Sequence, residues 1–429
     1  MSDIFRIKGL GGKKKLKGRI VIGGAKNAAL KLLAASVLFR DTVSLKNVPE
    51  IADVRKMLEL LSHAGAEVGA KGPHRCTVLC GKNFTDTISP RIARKMRASV
   101  VATGPVLARF GRVRFPHPGG CVIGKRPIDL FLGGFEKMGA RVRMTETHYD
   151  IAAPKTGLRG AEIFLKNQSV TATETLMMAG CLASGETVIR NASLEPEVAH
   201  VAEFLRRGGA RIEGAGTTTV RVRGGKLLSA KGKSFTVMPD RIEAGSFLIL
   251  GALAGGKLEI QKCNPDHLRS VLEVLREAGV AMDVAKDSVV VHGAKSGTPR
   301  AVDIKTHEYP GFPTDLQAPM TVFLTQAKGE AVVFETIFEG RLLYAEALKD
   351  MGADITVMDP HRILVRGPRT LKGKNLESPD LRAGLAYVIA AVVARGSSVI
   401  HNVYNIDRGY EDIENRLRGV GVEIIRESV

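Results

Sequence analysis

The segment FPHPGGCVIGKRPID, which begins at Phe115, sets the thiol of Cys121 shortly before two cations, Lys125 and Arg126. Pro116, Pro118, Gly119, Gly120 and Gly124 break both helix and strand, so the stretch at about 117–127 reads as a loop. Neighbouring positive charge lowers a thiol's pKa, which makes Cys121 a candidate acid or nucleophile; an exposed thiol without a role fits the same residues. The other chemistry the sequence offers is anion capture. Arg126, Arg341 and Arg408 lie 13, 11 and 13 residues before Gly139, Gly352 and Gly421, in turns that open exposed helices. Lys26, Arg97, Asp315 and Arg382 stand near the starts of apolar helical runs. A guanidinium matches phosphate or carboxylate two-pronged, and a helix N-terminus favours the same ligands. Charge at the mouth of a buried helix is costly unless it faces a cleft. Singly, each of these is an ordinary capping charge; as a repeated set they predict a shared anion site.

A sixfold repeat places these residues. A helical apolar run, a Gly, a small residue and then β-type alternation recur as LLSHAGAEV at Gly65, FEKMGARV at Gly139 and FLRRGGARI at Gly209. They recur again as LREAGVAM at Gly279, LKDMGADI at Gly352 and LRGVGVEI at Gly421. The glycines are 74, 70, 70, 73 and 69 residues apart, so six units of about 71 residues account for the chain. Each Gly falls where a helix must stop and a strand begin, a left-handed position that glycine fills without strain. The alternation in ARIEGAG then TTTVRVRG, and in ADITVMD then RILVRG, predicts a hairpin at the end of each unit. Each unit also carries a second helix of small and apolar residues, as in SVTATETLMMAG, TDLQAPMTVFLTQAKG and PDLRAGLAYVIAAVVARG, whose nearly all-round apolar character marks it as buried. The unit reads as βαβαββ in some cyclic phase, the class as α/β. Units this large fit two domains of three better than a solenoid.

The 429 residues suit two domains, and 44% hydrophobic with 25% charged residues describes a soluble globular protein, not a collagen, coiled coil or wholly disordered chain. The opening MSDIFRIKGLGGKKK lacks the apolar core of a secretory signal, and the apolar run Ala383 to Ala394 is too short to cross a bilayer, so a cytoplasmic protein is expected. Five scattered cysteines suit reduced thiols. A net charge of +19 admits nucleic acid, an anionic small substrate or a host that favours basic proteins. With 5% aromatic residues, no Trp and one short basic run at Lys13 to Lys15, stacking platforms for single strands are scarce. A basic cleft for a polyanionic substrate fits at least as well. GKS at Gly232 is not a phosphate loop, because Leu227 stands where that motif needs Gly. His74, Cys76 and Cys80 have marginal zinc spacing and no second pair, and read as residues of one hairpin. Glu195 and Glu197 are partly explained as helix-start acids.

The motifs GGAKNAAL at Gly23, MRAS at Met96, PGGCVIGKRPID at Pro118, EPE at Glu195, PDRIEAG at Pro239, FPTDLQA at Phe312, FEGR at Phe338, DLRAG at Asp380 and IDRGYE at Ile406 follow one another along the chain. On these residues the chain resembles the UDP-N-acetylglucosamine 1-carboxyvinyltransferase family from about Phe5 to Ile425. The resemblance implies a two-domain inside-out α/β barrel of six repeats, the enolpyruvyl transferase fold. It puts the cysteine loop in a domain at 26–238, a second domain at 1–25 plus 239–429, and the active site in a cleft between them. It implies transfer of the enolpyruvyl group of phosphoenolpyruvate to the 3-hydroxyl of UDP-N-acetylglucosamine, by addition and then elimination of phosphate through a tetrahedral intermediate. This is the first committed step of peptidoglycan synthesis and the step that fosfomycin blocks. No cofactor, no metal, no nucleic acid and no membrane insertion are implied, and the oligomeric state is left open.

By the same resemblance Lys26, Arg126 and Arg408 grip the phosphate, and Arg341, Arg382 and Arg408 surround the carboxylate. Cys121 is the general acid, Asp315 the base or anchor of the attacking hydroxyl, and Asp380 a second acid near the reacting carbons. Lys26 and Arg408 count among the catalytic residues, and Asn27 contacts sugar and intermediate. The nucleotide sugar falls to Asn27, Arg97, Arg126, Pro127, Ile128, Asp129, Leu130, Ser169, Val170, Thr171, Asp315 and Ile337. The chain departs from the family pattern at Gly23 (Ser is usual), Lys31 (often Pro), Asn167 (often Lys) and Thr171 (Gly is common), and these departures cluster on the UDP side. Two rivals remain. A shikimate-pathway enolpyruvyl transferase shares fold and reaction but lacks the cysteine loop. A basic nucleic-acid-binding repeat protein predicts salt-sensitive binding to unrelated oligonucleotides and leaves Asp315 and Asp380 unexplained.

Overall fold

The computed structural model describes residues 3–12, 15–118, 127–294 and 297–428. They divide into two compact units, one of residues 24–118 and 127–238, the other of residues 3–23 and 239–428. Each unit has its own apolar core. The small-residue helices form the inside of the units. They are α1 (Lys26–Ala35), α2 (Thr103–Phe110) and α3 (Val170–Gly180) in the first, and α4 (Arg241–Ala254), α5 (Gln317–Gln326) and α6 (Leu381–Val393) in the second. Because Ala, Gly and Thr line them, neighbouring helices approach closely: α4, α5 and α6 pack on one another, and α2 packs on α3. A Cβ at Gly245 would meet Leu316 Cδ1 at 2.4 Å, so any larger residue there would have to displace the Leu316 side chain.

Each repeat then adds an open sheet outside the helices. In the fifth, Ile304–Lys305 pairs in parallel with Gly329–Phe334 across α5; a short outer helix, Ala345–Asp350, leads into the antiparallel hairpin Asp354–Asp359 and Arg362–Gly367. This is the expected βαβαββ plan. Among the described residues there are five four-stranded sheets and one of three strands, and none closes into a β-barrel. In the three-stranded sheet the missing strand shrinks to a single parallel bridge, Thr87 to Arg114, because Pro90 starts a helical turn just beyond it. Chain ends complete other sheets. Asp3–Lys8 lies between Ser397–His401 and Glu423–Ser428, antiparallel to both, and Leu16–Val21 pairs in parallel with Gly256–Gln261.

The six repeated glycines all have positive φ, from +87° at Gly279 to +105° at Gly209. Each donates its N–H to the carbonyl three residues back, and Ala140, Ala210, Ala353 and Val422 donate five residues back, which together make the Schellman ending. This is why the glycine spacing reports the repeat: a helix that must turn at once into a strand needs that conformation six times.

Candidate active site

Asp315 sits in the 3-10 turn Thr314–Leu316 that feeds α5, and its side chain is 24% exposed. Two arginines close on it. Arg341, from the turn before the outer helix of the same repeat, donates from Nη2 to Oδ1 at 2.7 Å. Arg382, in the first turn of α6, donates from Nη2 to Oδ2 at 2.8 Å. Both arginine side chains are 7% exposed. Burial alone would raise the Asp315 carboxyl, but the two cations outweigh it and hold it well below the usual carboxylate range. The cluster extends on both sides. Arg382 Nη1 donates to the Tyr410 hydroxyl at 2.8 Å, and its guanidinium lies 5.5 Å from the centre of that ring. Arg341 Nη1 donates to Thr314 Oγ1 at 2.7 Å, and Thr314 donates onward to Glu335 Oε2 at 2.8 Å. Glu335 Oε1 accepts from the backbone N–H groups of Ile337 and Phe338 at 2.8 and 3.1 Å. One hydrogen-bonded chain thus runs from the Ile337 backbone through Asp315 to Tyr410, all within one unit.

Asp380 has a structural explanation. It is the N-cap of α6 and accepts from the N–H groups of Arg382 and Ala383 at 2.7 and 3.1 Å. Arg408 lies between the one-turn helix Tyr404–Asp407 and the helix Ile413–Arg418. The adjacent Asp407 is tied by Arg426 at 2.9 and 2.7 Å, and Arg426 also holds Asp3 and Glu414.

In the other unit, Lys26 opens α1 and pairs with Asp53 at 2.9 Å; the two side chains are 11% and 2% exposed. Asn27 follows it. Five residues into α1, Lys31 pairs with Glu174 of α3 at 3.0 Å, again out of solvent. Burial pushes Glu174 up to about 7, with Lys31 offsetting only part of it and Glu197 and Glu195 adding to the rise. Of the residues expected to border the nucleotide sugar, Arg97 begins the 3-10 turn before α2, and Ser169 caps α3 by accepting from Ala172 N at 3.2 Å, with Val170 and Thr171 in that first turn. Pro127 and Ile128 precede the outer helix Asp129–Lys137, which Asp129 and Leu130 start. Cys121 and Arg126 lie outside the described residues. A Cβ at Gly23 would meet only Glu243 Oε2, at 3.9 Å, so the backbone does not impose that departure. A depression of about 280 Å³ lined by Glu186, Arg206, Arg211, Arg221 and Arg223 holds none of the expected residues. The four described cysteines are buried and free. Burial raises Cys76, Cys80 and Cys263 to about 11 and Cys181 to about 12, which makes all four inert.

Sequence reasoning missed Thr314, Glu335, Tyr410 and Asp53. Thr314 stands next to Asp315 within FPTDLQA and Tyr410 two residues after Arg408 within IDRGYE, so both were inside quoted motifs. Asp53 carried no signal beyond being an acid in a helix's first turn.

An inner helix trio, open outer sheets and a carboxylate clamped by two arginines make an anion-handling α/β enzyme scaffold, and the comparisons agree. The sequence profile of EPSP synthase (3-phosphoshikimate 1-carboxyvinyltransferase) matches residues 10–417, and the chain belongs to that family of enolpyruvyl transferases. Within it, the chain is 45% identical over 418 residues to the UDP-N-acetylglucosamine 1-carboxyvinyltransferase of Koribacter versatilis, covering 97% of this chain and 95% of that one. It is 46% identical over 420 residues to the protein of the same name from Acidobacterium capsulatum, covering 97% and 94%. Among solved structures, the enolpyruvyl transferase NikO from Streptomyces tendae matches with a TM-score of 0.87 at 23% identity, covering 100% of this chain and 99% of that one. EPSP synthase from Acinetobacter baumannii matches with a TM-score of 0.75 at 19% identity over the full length of both chains.

Proposed function

We propose that this chain transfers the enolpyruvyl group of phosphoenolpyruvate to the 3-hydroxyl of UDP-N-acetylglucosamine, as a cytoplasmic enzyme of peptidoglycan synthesis. What carries the reading is the near full-length likeness, at 45–46% identity, to relatives bearing that name, against 19% for an EPSP synthase. Among the described residues no helix is long and apolar enough to cross a membrane, which accords with it.

In this reading the sugar hydroxyl adds to C2 of phosphoenolpyruvate while C3 takes a proton. The tetrahedral adduct then gives up a proton from C3 as its C2–O bond to phosphate breaks, which restores the C2–C3 double bond and releases phosphate. Arg341 and Arg382 take the substrate carboxylate, and Lys26, Arg126 and Arg408 the phosphate, so that charge moving onto the phosphate meets fixed cations. Asp315 accepts the hydrogen of the attacking hydroxyl. Clamped by two guanidiniums it is a weak base. As those guanidiniums turn to the incoming carboxylate, its basicity rises at the moment a proton must be taken. Cys121 delivers the proton to C3, and Asp380 serves as helix cap beside the reacting carbons. The test is phosphate release from phosphoenolpyruvate, measured with UDP-N-acetylglucosamine and separately with shikimate 3-phosphate. Release with the nucleotide sugar alone is expected; release only with shikimate 3-phosphate would transfer the chain to the other branch of its family.

A further inference from the structure

We propose that Glu335 is a positioning residue that couples the nucleotide-sugar contact at Ile337 to the arginine that receives phosphoenolpyruvate. This rests on the reading above, in which Ile337 borders the sugar nucleotide and Arg341 the carboxylate. Glu335 follows the strand Gly329–Phe334 and has no exposed surface. Its backbone is pinned: the N–H donates to His361 O, and the carbonyl accepts from His361 Nδ1, both at 2.8 Å. Oε1 gathers the N–H groups of Ile337 and Phe338, and Oε2 takes the Thr314 hydroxyl. Thr314 Oγ1 in turn receives Arg341 Nη1 at 2.7 Å, and Arg341 Nη2 reaches Asp315.

The turn on the sugar side is rigid from below as well. Thr336 donates from N to Thr306 Oγ1 at 2.9 Å and from Oγ1 to Thr306 O at 2.6 Å. Arg341 also lies over the Phe338 ring at 5.2 Å. The Ile337 peptide and the Arg341 fork thus share one buried support, and a shift in either is felt through the Glu335 carboxylate. A merely stabilising glutamate would hold the turn without linking it to the arginine. The Thr314 hydroxyl is what makes the link.

Two substitutions cut that link from opposite sides. Glu335→Gln keeps an acceptor for the turn but sets an amide donor against the Thr314 hydroxyl. Thr314→Val removes the hydroxyl at nearly constant shape. Initial rates of phosphate release, with both substrates varied, should show each variant raising the KM for UDP-N-acetylglucosamine and for phosphoenolpyruvate by about tenfold. The double variant should be no worse than the poorer single, because both break one connection. Effects that multiply to about a hundredfold, or that touch one KM only, overturn the coupling while leaving the transferase reading intact. A wild type that releases no phosphate with the nucleotide sugar overturns both. If Glu335→Gln fails to fold, Thr314→Val decides alone. Thr314 reaches the turn through Glu335, to which it donates, so an unchanged KM for the nucleotide sugar in that variant refutes the coupling.

Discussion

Asp315 is held between two buried guanidiniums, and this fixes both its stability role and its chemistry. Its depressed pKa means that the clamp contributes stability above the unfolded value near 3.9 and loses it as pH falls through the folded value. Asp315→Asn leaves Arg341 and Arg382 buried with an uncharged partner. It should cost about 2–3 kcal/mol at pH 7 in urea unfolding, with the gap to wild type closing below about pH 4. A gap that stays constant into acid would mean the carboxylate is not what the arginines need. Asp315→Ala should abolish turnover far more than it weakens UDP-N-acetylglucosamine binding by calorimetry; equal losses would make it a ligand anchor alone. The thiols divide as sharply. Four are buried with pKa values near 11 or 12, so fosfomycin with the nucleotide sugar present should add one equivalent to the chain, at Cys121. Intact mass showing no adduct, or an adduct mapped to another cysteine, would remove Cys121 from the chemistry. Cys121→Ser should lose most activity at neutral pH, because a hydroxyl is a poor acid there.

At the scale of elements, the helix ends were the most legible part of the sequence, because only glycine takes φ near +100° without strain. Gly279 isolates that effect: a Cβ there meets nothing within 4 Å, so Gly279→Ala should cost only the conformational penalty, about 1–2 kcal/mol by urea unfolding. Gly65→Ala should cost more, since its Cβ would sit 2.9 Å from Asn83 O. Equal costs at the two sites would refute the added clash. What could not be read from the sequence were the partners that join elements. Tyr410 meets Arg382, and Lys31 of α1 meets Glu174 of α3, only once elements far apart in the chain are folded together. Neither spacing has a local signature. The Lys31–Glu174 pair has a pH signature instead. The folded carboxyl holds its proton to about 7 while the unfolded chain releases it near 4.5, so this group's share of stability falls as pH rises between those values. Lys31→Met removes the only cation paired with it among the described residues and extends the fall above pH 7. The substitution should cost about 3 kcal/mol at pH 8 and markedly less at pH 5.5, where the carboxyl is neutral. An equal cost at both would show that Glu174 is neutral throughout or that Lys31 does not face it.

At the scale of the whole molecule, the sequence carried the count of repeats but not the exchange of strands that closes each unit. A short strand such as Asp3–Lys8 alternates like any other, and its partners, Ser397–His401 and Glu423–Ser428, lie some four hundred residues away. The exchange makes the two units unequal when separated. The 24–238 stretch is continuous, has its own core, and supplies from its own end the strand Ser234–Thr236 that pairs with Val43–Lys46. Residues 239–428 lack two strands of their unit: Asp3–Lys8, an inner strand of one sheet, and Leu16–Val21, the edge of another. Expressed alone, 24–238 should unfold cooperatively in urea with dispersed amide resonances, while 239–428 should expose apolar surface and bind a hydrophobic dye. Fusing residues 3–22 to the start of 239–428 through a flexible linker should restore cooperative unfolding, since it returns both missing strands and the Gly23-side backbone that pairs with Gln261. If 239–428 folds without them, the inner strand Asp3–Lys8 adds pairing to a sheet already stable, and the chain's N-terminal segment is dispensable to that core.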